Sequence, residues 1–514
     1  MKSSIAALSL ATAAAVAQYQ NPVLWEDTAD IDIMRVNDTF YYSASTMHYS
    51  PGAPVLRSND LVNWEYAGHS VPVLDWAPKY DLNGEQAYVK GIWASFLNYR
   101  PSTKTFYWGG CIEFAQTYIY TAPAVDGPWE KHDPIDKCYY DAGLLIDDDD
   151  KMYVAYGNTE ISVAELSEDG LSEVQSKQVF TGDFTIEGAR FYKIDGRYYI
   201  LVTRPPDAEF VLMSTEGPFG PYTIQPLVDK VSSPVPSTGN PHQGGIVDTP
   251  NGDWYYMAFI DAYPGGRIPV LAPVTFDGEG WPQVELVDGG WGASYPIPAV
   301  AGGAQKVKRS IGKDTFEGTA LSHEWEWNHN PDTTKFSVDN SLFLQAATVT
   351  DDLYAARNTL TRRIPGPASS ATIVIDISGM TDGDHAGIAL LRDQSASIGI
   401  KRDGDAARIV MVNGITMNED WSTNNKGEEV DSADVPAGTE KLWLRAKADI
   451  APASTGAGSF EYSTDGESFS PLGNEIEFNR NWQFFMGYRY GIFYYATQAI
   501  GGTVVVSEFD VAEA

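Results

Sequence analysis

Three observations predict an all-β chain. Strand-like runs recur with almost no helical periodicity, one turn-and-strand unit repeats five times, and the texture changes after a small-residue stretch near residue 300. Together they point to a five-bladed β-propeller followed by an antiparallel β-sandwich. The repeated unit is a polar turn, a Tyr- or Trp-rich strand, a second strand and another turn. Its aromatic strands fall at 40–43, 106–109, 152–156, 198–203 and 254–259. Turns such as Asn37-Asp38-Thr39, Asp195-Gly196-Arg197 and Asn251-Gly252-Asp253 lead into them. Copies are spaced by roughly 45 to 65 residues, a period that suits four-stranded blades burying their faces on one another.

Ala299-Val300-Ala301-Gly302-Gly303-Ala304 reads as a linker. Beyond it, short strands at 371–377, 387–391, 407–412, 441–446, 460–463 and 503–509 alternate with turns such as Arg402-Asp403-Gly404-Asp405, the pattern of a sandwich. At the other end Lys2 is the sole charge, 5–16 is apolar or small, and Ala15-Val16-Ala17 offers a cleavage site. The expected organisation is a signal peptide over 1–17, the propeller over 18–300, a linker over 301–308 and the sandwich over 309–514, in a secreted, extracellular protein.

Charge narrows the partners. The 514 residues carry 69 Asp plus Glu against 35 Lys plus Arg, a net charge of −34. Nucleic acid and anionic membrane both demand concentrated cations, so neither is expected as a partner. A monomer is expected. Two cysteines are too few for a disulfide scaffold, although export permits Cys111 and Cys138 to pair; two buried thiols are the alternative. Asn37-Asp38-Thr39 is also a glycosylation sequon, lying in a turn between apolar runs.

Most of the acids read as solvated surface, and Asp147-Asp148-Asp149-Asp150 reads as a turn. Three differ. Asp30 opens blade one, Asp141 lies one turn before the strand of blade three, and Glu187 takes the matching place at blade four. Each is flanked by apolar or small residues, a setting that penalises charge and shifts pKa. Three acids converging on a propeller axis suit glycoside hydrolysis. One protonates the leaving oxygen, a second activates water or attacks carbon, and a third charge nearby keeps the acid protonated. No phosphate-binding loop, dinucleotide fingerprint or nucleophile elbow stands in a suitable context.

On these residues the chain resembles family 43 glycoside hydrolases of the fungal secreted α-L-arabinofuranosidase and β-xylosidase type. Asp30-Ile31-Asp32-Ile33-Met34-Arg35-Val36 is similar to that family's opening segment, Tyr140-Asp141-Ala142 to its second acidic segment, and Glu187-Gly188-Ala189 to its third. Ile31, Ala142 and Ala189 stand where the family usually has proline. The resemblance implies Asp30 as general base, Asp141 as the residue that tunes and orients the acid, Glu187 as general acid, and inversion of configuration. It implies substrate contacts for Trp93, His242 and Arg267, with the Arg267 guanidinium orienting sugar hydroxyls and the base carboxylate. His242 would either bond the site from below or help hold a hydrated Ca²⁺ at the axis; the chemistry itself requires no cofactor. Asn358-Thr359-Leu360-Thr361-Arg362-Arg363 and Asp384-His385-Ala386-Gly387 resemble the appended concanavalin-like sandwich, which is expected to support the propeller and wall the groove. The expected substrate is neutral arabinoxylan or its oligosaccharides, with arabinose favoured over xylose as the released sugar. A β-xylosidase acting on xylooligosaccharides and a non-catalytic carbohydrate-binding propeller are the alternatives.

Overall fold

The computed structural model describes residues 17–300 and 310–514. The leader expected at 1–17 and the linker expected at 301–308 fall almost entirely outside them. The chain is all-β: five four-stranded antiparallel sheets form the propeller, and a nine-stranded sheet faces an eight-stranded one in the sandwich. Among the described residues, no helix is long and apolar enough to cross a membrane.

The aromatic runs of the sequence are the second strands of the blades: Thr39–Ser43, Thr105–Ile112, Met152–Asn158, Arg197–Arg204 and Trp254–Asp261. The innermost strands precede them, at Asp32–Val36, Ser95–Arg100, Gly143–Ile146, Glu187–Ile194 and His242–Asp248. These inner strands are inconspicuous in sequence because both of their faces are covered, so polar and apolar residues do not alternate cleanly. The second strands stand out instead as near-continuous aromatic and apolar runs, each lying between two hydrogen-bonded neighbours with rings packed between blades. Tyr41 of blade one against Phe106 of blade two is one such pair, edge to face with centroids 5.7 Å apart.

Adjacent inner strands are stitched together by polar side chains. Leu97 donates its N–H to Asp32 at 2.8 Å, Asn98 donates to the Leu144 carbonyl at 2.7 Å, and Arg35 pairs with Asp248. The ring is closed by its own ends, Gln18–Gln20 pairing antiparallel with Ser294–Pro296. Cys111 and Cys138 are joined in a disulfide that ties the second strand of blade two to the connection leading into blade three.

The sandwich docks on the propeller through a shared sheet. Tyr49–Ser50, from blade one, pairs with Glu326–Asn328 and becomes the edge of the eight-stranded sheet. Around this seam lies a polar core. Glu326 accepts from Arg363 at 3.0 Å and Arg489 at 2.6 Å and meets His69 at 3.1 Å. A fully buried carboxylate needs such a set of partners, since losing one leaves uncompensated charge at a cost of about 3–5 kcal/mol. His48 bonds Asn328 at 3.1 Å, and the Arg363 guanidinium donates to the Asp27 carbonyl at 2.6 Å. Apolar contact flanks these bonds, with Met47, Tyr49, Tyr88 and Val89 of the propeller meeting Leu353, Tyr354, Phe484 and Phe493 of the sandwich.

Buried histidines give this architecture a pH limit. His329, at the seam, and His385, in the sandwich, are each held down to about 3 by burial. The unfolded chain, with histidine near 6.5, therefore takes up these protons first. Their contribution is complete above about pH 6.5 and declines as pH falls toward about 3. Urea unfolding midpoints measured from about pH 7 down to pH 4 should fall steadily, and a flat series contradicts the assignment.

Candidate active site

The three acids are built by the way each inner strand begins. Asp30 and Asp141 each sit two residues ahead of an inner strand, and both adopt left-handed backbone, φ 59° and 47°. Such a conformation costs roughly 1 kcal/mol for a residue with a side chain and turns that side chain away from the strand's own alternation. Glu187 differs from the expected placement: it is the first residue of its strand, and a bulge follows, with register lost between Glu187 and Arg190. Gly188 at φ 70° makes that bulge possible. A bulge thus does at blade four what the left-handed aspartates do at blades one and three.

Asp30 is gripped by Arg267. Both guanidinium ends donate to its carboxylate, Nη1 to Oδ1 at 2.8 Å and Nη2 to Oδ2 at 3.2 Å. This two-point contact fixes the carboxylate plane. The Arg267 Nε donates to the Phe485 carbonyl of the sandwich at 3.1 Å, and its backbone N–H donates to Asp27 at 2.8 Å. Asp27 in turn accepts from Gly487 N–H at 3.0 Å. The second domain therefore helps hold the residue that holds Asp30. Asp32, two positions on, belongs elsewhere: it lines a separate cavity of about 200 Å³ along the propeller axis.

Glu187 accepts two hydrogen bonds on the same oxygen, Oε2, from Tyr140 at 3.1 Å and from Asn158 at 2.7 Å. Burial raises its pKa above the ordinary glutamate range, the charge on Asp30 adds to the rise, and the two hydrogen bonds oppose it. Asp141 is buried and pushed well above the aspartate range. Burial is the main cause, the charges of Glu187 and Asp30 add to it, and Arg190 and Arg267 oppose it. Asp141 and Glu187 thus compete within one field, an arrangement that retains a proton on the pair at pH values where isolated carboxyls have lost theirs.

Glu187, His242 and Arg267 line one cleft of about 600 Å³. Its walls include Phe259 and Tyr263 of blade five and Arg480, Trp482 and Phe485 of the sandwich. His242 donates from Nδ1 to the Asn240 carbonyl at 2.9 Å, and burial lowers its pKa. A neutral ring with Nδ1 protonated leaves Nε2 as an acceptor. Trp93 is half-buried and meets Phe485 edge to face at 4.8 Å, so it reaches the cleft wall through that ring.

Arg190, Tyr140, Asn158 and the sandwich residues at the cleft were not singled out by sequence reasoning. Arg190 is fully buried at the axis. Its Nε donates to the Ile31 carbonyl at 3.0 Å and its Nη2 to the Asp30 carbonyl at 2.9 Å. Nη1 serves Ala142 and Ala189 at 2.9 and 3.0 Å. One signal for it was present: an arginine between Ala189 and Phe191 inside an inner strand must be buried, and a buried guanidinium must be bonded.

The hydrogen bonds on Glu187 make a prediction. Asn158 stabilises the ionised form, so Asn158→Ala should raise the Glu187 pKa. With Glu187 as the general acid that the resemblance implies, the protonated form persists to higher pH and the basic limb of the pH–rate profile moves upward. A limb that stays in place or moves downward counts against this role of Asn158.

Residues 19–282 match the model of glycosyl hydrolases family 43, and 313–512 match the β-xylosidase C-terminal concanavalin A-like domain. A solved family 43 glycoside hydrolase, engineered to display both endo-xylanase and exo-arabinofuranosidase activity, superposes with a TM-score of 0.94. It is 48% identical, and the match covers 97% of this chain and 100% of that one. A β-xylosidase of Formosa agariphila is 28% identical, covering 88% of this chain and 84% of its own. A non-reducing end α-L-arabinofuranosidase of Bacteroides ovatus is 27% identical, covering 73% and 74%. Two matched domains in sequence register with the propeller and the sandwich leave one conclusion: the chain belongs to glycosyl hydrolases family 43 and is a glycoside hydrolase of its xylosidase and arabinofuranosidase group.

Proposed function

We propose that the protein is a secreted, inverting exo-glycosidase that removes α-L-arabinofuranosyl side chains from arabinoxylan. Asp30 acts as general base, Glu187 as general acid, and Asp141 tunes and orients the acid. The observation that carries this reading is the unequal treatment of the carboxyls. Asp30 is gripped in one plane by a two-point guanidinium contact, while burial and the Asp30 charge push the Glu187 pKa up. An acid whose pKa is raised suits proton donation, and a carboxyl oriented by a fixed guanidinium suits activation of water.

The positions of the atoms support a mechanism of this kind. Because Tyr140 and Asn158 both occupy Oε2 of Glu187, the transferable proton resides on Oε1 and passes to the glycosidic oxygen as that bond breaks. Asp30 takes a proton from water as the water oxygen attacks the anomeric carbon from the opposite face, which inverts configuration. Arg267 holds the Asp30 plane toward that water, and His242 Nε2 accepts from a sugar hydroxyl. Phe259, Tyr263, Trp482 and Phe485 give the cleft apolar walls of the kind that pack on sugar rings. A neutral polymer suits a strongly acidic surface.

The exo-arabinofuranosidase activity of the 48%-identical relative supports arabinose as the released sugar. The β-xylosidase name carried by the Formosa agariphila relative favours a second reading, release of xylose from xylooligosaccharide ends. Secretion is supported by the leader-like pattern at 1–17 and by the Cys111–Cys138 disulfide, a bond favoured in oxidising compartments.

Two experiments test this. Incubation with aryl arabinofuranoside, aryl xyloside and wheat arabinoxylan should release arabinose from the first and third, with the β-anomer formed first by proton NMR. Xylose as the dominant product selects the second reading, no release from any substrate removes both, and retention of the anomer rejects the roles given to Asp30 and Glu187. Separately, Arg267→Lys loses the fork on Asp30 and should lower kcat/KM about 10²-fold while the protein stays folded. Wild-type kinetics in that variant would dismiss the proposed role of the contact.

A further inference from the structure

Resemblance to the family raised a hydrated Ca²⁺ at the propeller axis. The donor set there is already committed. A calcium ion needs six to eight oxygen ligands at about 2.3–2.6 Å, drawn from carboxylates, carbonyls and water. On this axis the carbonyls of Asp30, Ile31, Ala142 and Ala189 all accept N–H bonds from Arg190, whose side chain is fully buried. The nearest carboxylate, Asp32, lies 3.7 Å from the same guanidinium and accepts the Leu97 N–H. His242 lines the cleft, with its Nδ1 on the Asn240 carbonyl. Among the described residues, no group of three or more His, Cys, Asp or Glu could hold a metal ion. A dication brought to these carbonyls would have to displace a fixed positive charge.

What Arg190 touches is as informative as what it excludes. Its four acceptors come from blades one, three and four, the blades that carry the three acids. One acceptor is the carbonyl of Asp30 itself, one belongs to the residue after Asp141, and one lies two residues after Glu187. Two of the segments so held carry the left-handed aspartates and the third carries the bulge. A single planar group with donors in a rigid fork can fix the mutual spacing of three such segments; a spherical ion with exchangeable waters fixes them less rigidly.

We propose that Arg190 is the resident cation of the propeller axis: its guanidinium, and not a divalent metal ion, holds the starts of three blades at the spacing that presents Asp30, Asp141 and Glu187 to substrate. Arg190 is a positioning residue; it touches no reacting atom. The positioning half of this inference rests on the roles proposed above for the three acids, and the metal half does not.

The experiment separates the two halves. Wild-type protein dialysed against EDTA, then supplied with CaCl₂ or MgCl₂, should keep the same Tm and the same kcat throughout. Elemental analysis of the untreated protein should find divalent metal well below one ion per chain. Loss of Tm or kcat on chelation, with recovery on CaCl₂, overturns the proposal, and the Tm arm decides even if no substrate is turned over. Arg190→Ala should lower kcat about 10²-fold with KM changed far less, since the acids are misplaced and the cleft walls are not. Millimolar guanidinium should restore part of that kcat, and the same concentration of sodium chloride should not. Arg190→Lys keeps the charge without the fork and should fall between the two. Wild-type kcat in Arg190→Ala overturns the positioning role, as does a loss that guanidinium and Arg190→Lys both leave unrescued in a folded variant. If Arg190→Ala does not fold, the comparison of Arg190→Lys with wild type and the chelation series carry the decision.

Discussion

Buried guanidinium groups bonded to main-chain carbonyls are the interaction on which this molecule depends. Arg190 ties the blade starts at the axis. Arg363 ties the propeller carbonyl of Asp27 to the Glu326 carboxylate at the seam. Arg267 joins Asp30 to the Phe485 carbonyl of the other domain. Arg392 holds the carbonyls of Asn479, Asn481 and Met486, and so anchors the segment that brings Arg480, Trp482 and Phe485 to the cleft. The physical reason is common to all four. Where sheets meet at their ends, carbonyls are left without strand partners, and an unpaired buried carbonyl is costly. A guanidinium offers five donors in a plane and stays charged, so one side chain can satisfy several such carbonyls at once.

This has a functional corollary. The opposite roles proposed for these acids need environments that differ over short distances, and fixed cations create that difference. Asp30 receives the full fork of Arg267, whereas Glu187 receives only neutral donors, from Tyr140 and Asn158, in a buried setting. The sandwich takes part without supplying an acid, because it fixes Arg267 and walls the cleft. A sheet shared at Tyr49–Ser50 keeps the two domains in that arrangement.

Much of the fold was legible in the chain. Tyr-rich second strands with polar turns announced five blades, since aromatic content and turns are local properties. The inner strands were harder to see, being covered on both faces. Asp30, Asp141 and Glu187 were legible as acids in apolar surroundings near blade starts. The manner of their presentation was not: Asp30 and Asp141 use left-handed backbone, while Glu187 uses a bulge. Trp93 and His242 were placed near the site by motif, and the structure adds which ring and which carbonyl each one meets.

The sequence by itself determined the all-β class, the five-fold repeat, the change of domain and the three candidate acids, because periodicity, turn chemistry and flanking residues are written locally. Resemblance pointed to Arg267 beside the base carboxylate, and only the tertiary structure added Arg190 and the contacts that hold both arginines in place. Arg190 reaches Asp30 across 160 positions, Arg267 reaches it across 237, and Arg363 reaches Asp27 across 336. No local pattern encodes such pairings, since each exists only once closure of the ring and docking of the sandwich have brought the carbonyl and the guanidinium into the same dry space.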